Sequence, residues 1–236
     1  MPLVEHRPNL LLQALPEAEY AALRQHLQVV ILKRHTILIE AGAPARHVYL
    51  PQAGAISIMV GLSDGHTVQA AMIGCDSIVG ASAALGYETS MTEAVVTLPG
   101  TASAIDVAIL RSAANRSSAV RQLLARHEQA LHLQVQQSAA CNASHPVEAR
   151  LSRWLLRARD LYQGETLPLT QEALARAIGV QRNAISMAAH ALREAGILSY
   201  SRGKIEIRDL EALRATSCEC YHAVRTGQEQ LIGTPH

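Results

Sequence analysis

Phenylalanine is absent from this sequence and tryptophan occurs once. A core must therefore be assembled from leucine, valine, isoleucine and alanine, and 49% hydrophobic residues against 17% charged ones describe a globular rather than a disordered chain. Long apolar runs are missing too; none approaches the ~20 residues of a membrane span. The opening MPLVEHRPN has no basic segment followed by an apolar one, so no secretory leader is expected. Only four cysteines occur, Cys75, Cys141, Cys218 and Cys220, too few for a disulfide framework in a chain of 236 residues. A reducing, cytoplasmic setting follows as the expectation. Catalytic signatures are also lacking: there is no HExxH, no GxSxG, no P-loop and no carboxylate pair in a glycine-rich frame.

A charge excess of one sign is missing from the whole, at net +1, but not from its parts. Residues 1–144 carry 9 basic and 10 acidic side chains, and residues 145–236 carry 12 and 10. Between Arg176 and Arg208 six basic residues face only Glu194 and Glu206. A local basic window of this kind suits a polyanion.

The hydrophobic period changes twice along the chain. Asn9 to Leu27 reads as one or two short helices, with Leu15-Pro16-Glu17 as a helix start. From Val29 to Asp106 short β-rich runs recur (VVIL, TILIE, HVYL, AISIMV, TVQAAMI, AVVTL, TASAI), separated by turn signals at Ala41 to Pro44, Pro51 to Gly54, Asp64-Gly65 and Pro99-Gly100. Many short strands predict a sandwich or barrel, a jelly roll among the options. After Val107 the pattern is helical. Ser118 to Cys141 lacks proline and glycine, and Val120, Leu124, His127, Leu131 and Val135 form one stripe at three- and four-residue steps. Such a stripe predicts a helix paired with its copy in a second chain; packing on its own barrel is the alternative. Asn142 to Pro146 breaks the helix, Ser144 or His145 caps the next, and Gly164 ends that one. The expected domains are 1–116, a β domain; 117–143, a dimerisation helix; and 144–236, a further, mainly helical domain.

The stretch LTQEALARAIGVQRNAIS carries the function. Thr170 is a helix cap, Ala173, Leu174, Ala177 and Ile178 make an apolar face, and Gly179 can take the left-handed conformation that stops a helix. A second helix follows from about Arg182 to Glu194, with Ile185, Ala188, Ala189 and Leu192 inward. Two short helices joined by a glycine turn form a helix-turn-helix, whose second helix reaches the major groove. Arg182 can pair with guanine and Asn183 with adenine, each bidentately. Then ILSY, the turn Ser201-Arg202-Gly203-Lys204, and IEI make a hairpin, or wing, with two cations at its tip. The expected DNA-contacting set is Thr170, Gln171, Gln181, Arg182, Asn183, Ser186, Met187, His190, Arg202 and Lys204. A helical hairpin with a solvated charged face is the competing structural reading; the wing and the basic window favour double-stranded DNA. The second functional class is a small-molecule-binding β-barrel protein or enzyme without DNA binding, which lacks a catalytic constellation to support it.

A β-roll, a long helix and a winged helix-turn-helix together resemble the Crp/Fnr family of bacterial transcription regulators, most specifically in LTQEALARAIGVQRNAIS, LREAGILSYSRGKIEI and VYLPQAGAISIMVGLSDG. The resemblance implies an α+β fold with a cyclic-nucleotide-binding-like β-roll, a dimerisation helix and a C-terminal winged helix-turn-helix. It also implies a non-enzymatic homodimer on a palindromic operator, with RNA polymerase as a further partner and no membrane association. Met187 stands where the catabolite-activator branch has a second arginine, so a different operator preference is expected. In VGASAALGYETSMTEA, Gly80 is kept, but Ala81 stands at the glutamate position and Met91 at the arginine position of nucleotide-binding members, followed by Thr92. Cyclic AMP is not expected as a ligand, because its phosphate would lose its charged partner; Ser82 and Thr92 remain as polar groups for another small molecule.

Among cofactors, an iron–sulfur cluster of the oxygen-sensing kind is not expected, since the first cysteine is Cys75. Haem stays open with eleven histidines. Cys75, after an apolar run, reads as a small hydrophobe rather than a redox switch. Cys218, Cys220 and His222 cluster as metal-ligand candidates, but tetrahedral zinc needs a fourth ligand and the paired Cys-x-x-Cys spacing is missing, so structural thiols are the stronger reading.

Overall fold

The computed structural model describes residues 9–201 and 203–232, and within them the expected change from strands to helices falls at Asp106. Asn9 caps the first helix, accepting from the Leu11 N–H at 3.0 Å, while its amide donates to the carbonyls of Pro51 and Ser77. Helices α1 (Leu10–Gln13) and α2 (Glu17–Arg24) follow, the second starting at the expected Pro16-Glu17.

One antiparallel sheet then forms from β1 (Gln28–Leu32), β2 (Ile37–Ile39), β3 (His47–Gly61), β4 (Thr67–Ile73) and, after the short α3 (Ala81–Ala84), β5 (Glu93–Asp106). The strand order is β1-β5-β3-β4, with β2 also on β5. Two of the expected turns are not turns. HVYL and AISIMV are one strand, and so are AVVTL and TASAI. At Pro51 to Gly54 the register of β3 against β5 shifts repeatedly, so the strand bends without breaking. The glycines permit the crossing. Gly54 has φ +87°, and a Cβ on Gly100 would lie 2.0 Å from the Ala53 carbonyl oxygen. These bends roll the sheet around Leu32, Ile56, Ile73 and Val96, each at most 1% exposed. Asp64-Gly65 is the hairpin turn expected between β3 and β4.

Helices α4 (Val107–Arg116) and α5 (Ser118–Ser144) leave the sheet. Their caps are side-chain oxygens: Asp106 accepts from Ala108 N–H and Ser117 from Val120 N–H. Pro146 is the N-cap of α6 (Val147–Tyr162), which ends at Gln163, in the left-handed region at φ 57°, rather than at Gly164. The winged helix comprises β6 (Thr166–Leu167), α7 (Gln171–Ile178), α8 (Arg182–Glu194), β7 (Leu198–Ser201) and β8 (Lys204–Ile207), its sheet ordered β6-β8-β7. Helices α9 (Leu210–Thr216) and α10 (Cys220–Ile232) are the last described elements; α10 returns to lie along α5, where Gly227 meets Leu133.

The two halves share apolar packing. Ala55, Met72 and Leu98 of the sheet belong to the same buried cluster as Trp154, Leu161 and Ile185. Polar contacts reinforce it: Trp154 Nε1 donates to Gln69 Oε1 at 3.2 Å, and the Arg157 guanidinium meets both carboxylate oxygens of Asp76 at 2.6 and 2.9 Å.

Candidate nucleic-acid interface

The corner of the helix-turn-helix is built as its sequence requires. The Thr170 hydroxyl accepts from the Ala173 N–H at 3.2 Å, and Gly179 stops α7 at φ 71°, ψ 46°. Arg150 of α6, 7% exposed, donates to the carbonyl of Ile178, placing a cation on a carbonyl left without a helical partner at the end of α7. Ile185, Ala188, Ala189 and Leu192 are the buried face of α8, as expected. Opposite them Arg182, Asn183, Met187 and His190 are exposed, Met187 at 75%. The first two sit in the first turn, where unpaired N–H groups also favour an anion. Ser186 donates to Gln171 Oε1 at 2.7 Å, so these two residues hold α7 to α8. Gln181 is the exposed N-cap position of α8, without a side-chain cap bond. In the wing, Lys204 is exposed at the start of β8 and Gly203 turns at φ +78°. Arg202 lies outside the described residues.

The cleft expected to hold an effector lies between the roll, α3 and α5. Gly80, Ala81, Ser82 and Thr92 line it; Met91 does not, being 86% exposed. Its volume is 80 Å³, small beside the roughly 300–1,000 Å³ of typical ligand sites. None of its described lining residues is basic, and two, Glu88 and Glu128, are acids.

The stripe expected on the dimerisation helix divides. Val120, Leu124 and His127 are buried within the chain itself, Leu131 is half-buried and Val135 is exposed. His127 is a core residue: its Nε2 accepts from the Ile78 N–H at 2.9 Å and meets the Ser77 hydroxyl at 2.8 Å. The outward row of α5 is instead Ala125, Gln129, His132, Gln136, Ala139 and Ala143, a heptad-like spacing of alternating fours and threes that runs beside Val135.

The thiols are regrouped. His222 is exposed and stands edge-on to Tyr221, away from the cluster. Cys141 and His145 take its place: their ligand atoms and those of Cys218 and Cys220 all lie within 4.8 Å of one another. A hydrogen bond from the Cys218 thiol, helped by the charge of Arg153, pulls the Cys141 thiol down to about 5, and Cys218 is pushed up correspondingly. Cys141, then Glu219, raise His145. Cys75 is half-buried beside Arg157 rather than fully buried. Sequence reading missed Cys141 and His145 because they lie more than 70 residues from Cys218.

Comparison with known proteins agrees with this layout. Residues 29–117 match the family model of the cyclic nucleotide-binding domain, and residues 149–216 match the Crp-like helix-turn-helix domain. FixK2 from Bradyrhizobium japonicum superposes with a TM-score of 0.69 at 16% identity, covering 81% of this chain and 98% of its own. A Crp/Fnr-family regulator from Eubacterium rectale gives 0.67 at 18%, covering 87% and 96%. The c-di-GMP-responsive regulator CLP of Xanthomonas campestris gives 0.65 at 17%, covering 82% and 100%. At these identities the solved structures speak for the fold. No curated sequence matches. The chain belongs to the Crp/Fnr family of transcription regulators, with a helix-turn-helix DNA-binding domain behind a cyclic-nucleotide-binding fold. No helix among the described residues is long and apolar enough to cross a membrane.

Proposed function

We propose that this regulator works as a homodimer on a palindromic operator and is not controlled by cyclic AMP. The observation that carries the DNA reading is α8: one face wholly buried, and Arg182, Asn183, Met187 and His190 exposed on the other beside the wing. Arg182 and Asn183 read base edges, and Lys204 holds phosphate. Pairing along α5 sets two recognition helices about one helical turn, roughly 34 Å, apart on one DNA face.

Binding to operator and scrambled DNA over a range of salt tests this. Arg182→Ala is expected to lose about 1–3 kcal/mol of discrimination at one base pair per half-site. Lys204→Ala is expected to weaken all sequences alike and reduce the salt slope by about one unit per lost contact. Equal loss on operator and scrambled DNA for Arg182→Ala would make it a backbone clamp.

The ligand reading rests on the cleft. A cyclic nucleotide would bring a phosphate into a small space lined by two acids and no basic side chain, the nearby Arg111 being already paired with Glu88 at 2.7 Å, at a high desolvation cost. Calorimetry is expected to show no micromolar binding of cyclic AMP; such binding with a rise in operator affinity would refute this reading.

A further inference from the structure

Cys141, His145, Cys218 and Cys220 sit where four helix ends meet. Cys141 is in the last turn of α5 and His145 is its C-cap, directly before the Pro146 that opens α6. Cys218 and Cys220 lie at the junction of α9 and α10. The three thiols are at most 6% exposed and form an apolar cluster of their own with Ala149.

The distances select a coordination type. Cys141 Sγ is 3.5 Å from Cys218 Sγ, and Cys220 Sγ is 3.5 Å from His145 Nδ1. A tetrahedral zinc ion, with bonds of about 2.3 Å to sulfur and about 2.0–2.1 Å to nitrogen, sets its ligands roughly 3.5–3.8 Å apart. An iron–sulfur cube would bond each thiolate to a different iron and spread the four ligands farther than the 4.8 Å limit they share here.

The surroundings complete the argument. The other nitrogen of His145, Nε2, lies 3.2 Å from Glu219 Oε1, the carboxylate–histidine arrangement that leaves Nδ1 free to coordinate. Gln137 Nε2 donates to Cys220 Sγ at 3.0 Å, a contact that stabilises a thiolate. Three thiolates with a divalent ion leave one negative charge, and Arg153 acts on Cys141 from nearby.

We infer that Cys141, His145, Cys218 and Cys220 bind one divalent, thiophilic ion of the zinc class in a closed tetrahedral site. The ion ties the α5–α6 hinge to the α9–α10 junction, and so fixes the helix-turn-helix domain relative to the β-roll. Binding releases the thiol protons and changes no oxidation state. With no open coordination position the site is structural rather than catalytic. Its effect on DNA rests on the proposed operator binding; the site itself does not.

The test uses the full chain, reduced and stripped with a chelator, then titrated with cobalt(II) alone and back-titrated with zinc. One cobalt per chain is expected, with the visible bands of a tetrahedral ion and sulfur-to-cobalt charge transfer, both erased by zinc. Cys218→Ser and His145→Gln should lose tight uptake, and His222→Ala should keep it. His145→Cys should retain the ion and shift the cobalt bands to longer wavelength, a gain no merely structural role provides and one that guards against misfolding of the serine variant. Operator affinity should fall about 5–150-fold on stripping, the range of a typical coupling between sites. Three results overturn the inference: no stoichiometric uptake; iron with acid-labile sulfide in the isolated protein; or a Cys141–Cys218 disulfide in protein that takes up no cobalt. If stripped and loaded protein alike ignore the operator, the DNA reading fails while the cobalt spectrum still decides the site.

Discussion

At the scale of the residue, Gly179 shows how one backbone conformation supports a function several residues away. Its φ of 71° lies where β-branched residues are strained, and a Cβ there would come within 3.0 Å of a Val68 methyl on β4. Gly179→Val is therefore expected to cost about 1–3 kcal/mol in urea unfolding. It should also lower operator affinity, because the corner sets how Arg182 is presented. Gly179→Asn should cost less, since asparagine tolerates this region. An unchanged unfolding midpoint for the valine variant would mean that the corner has slack. This glycine was legible in the sequence because its period and its caps are local. His127 was not: its spacing fits the α5 stripe, and only the fold reveals the Ile78 N–H and Ser77 hydroxyl that hold it. Arg150 was hidden in the same way, being a cation whose acceptor is a carbonyl 28 residues on.

At the scale of the element, α8 and α5 make a contrast. The burial of α8 follows from its own 3.6-residue period, because its inner face meets a single core. Helix α5 is covered by the β-roll along one part and by α10 along another, so its buried row takes in Ala130, Gln134 and Ser138, which no apolar stripe announces. The strands show a similar limit. Proline and glycine at 51–54 and 99–100 mark bends, and whether a bend ends a strand depends on a partner that bends with it. Two α5 variants separate core from seam. Leu124→Lys buries a charge in the chain's own core and should unfold the protein. Val135→Lys should leave circular dichroism unchanged yet yield monomers by light scattering. A folded, dimeric Val135→Lys would move the seam elsewhere.

At the scale of the whole molecule, the DNA-binding half is docked rather than tethered. Trp154 reaches Gln69, and Arg157 grips Asp76 with side chains only 15% and 20% exposed. Asp76 holds the Arg157 cation well charged despite the burial that opposes it. Asp76→Asn strands that charge and should destabilise the protein by about 2–4 kcal/mol, somewhat less than a fully buried pair because water still reaches it. Urea unfolding checks this; a cost near zero would mean that the halves are held by apolar packing alone.

The return of α10 carries a consequence in time. Leu11 and Leu12, near the start of the described chain, share a buried cluster with Ile232, near its end. During synthesis the sheet can roll and the winged helix can form as each emerges. The buried cluster that Leu11, Leu12 and Ile232 share nevertheless stays incomplete until α10 has left the ribosome. Until then the nascent chain presents part of that leucine-rich face to chaperones, and the two distant segments close on each other only once α10 has been made.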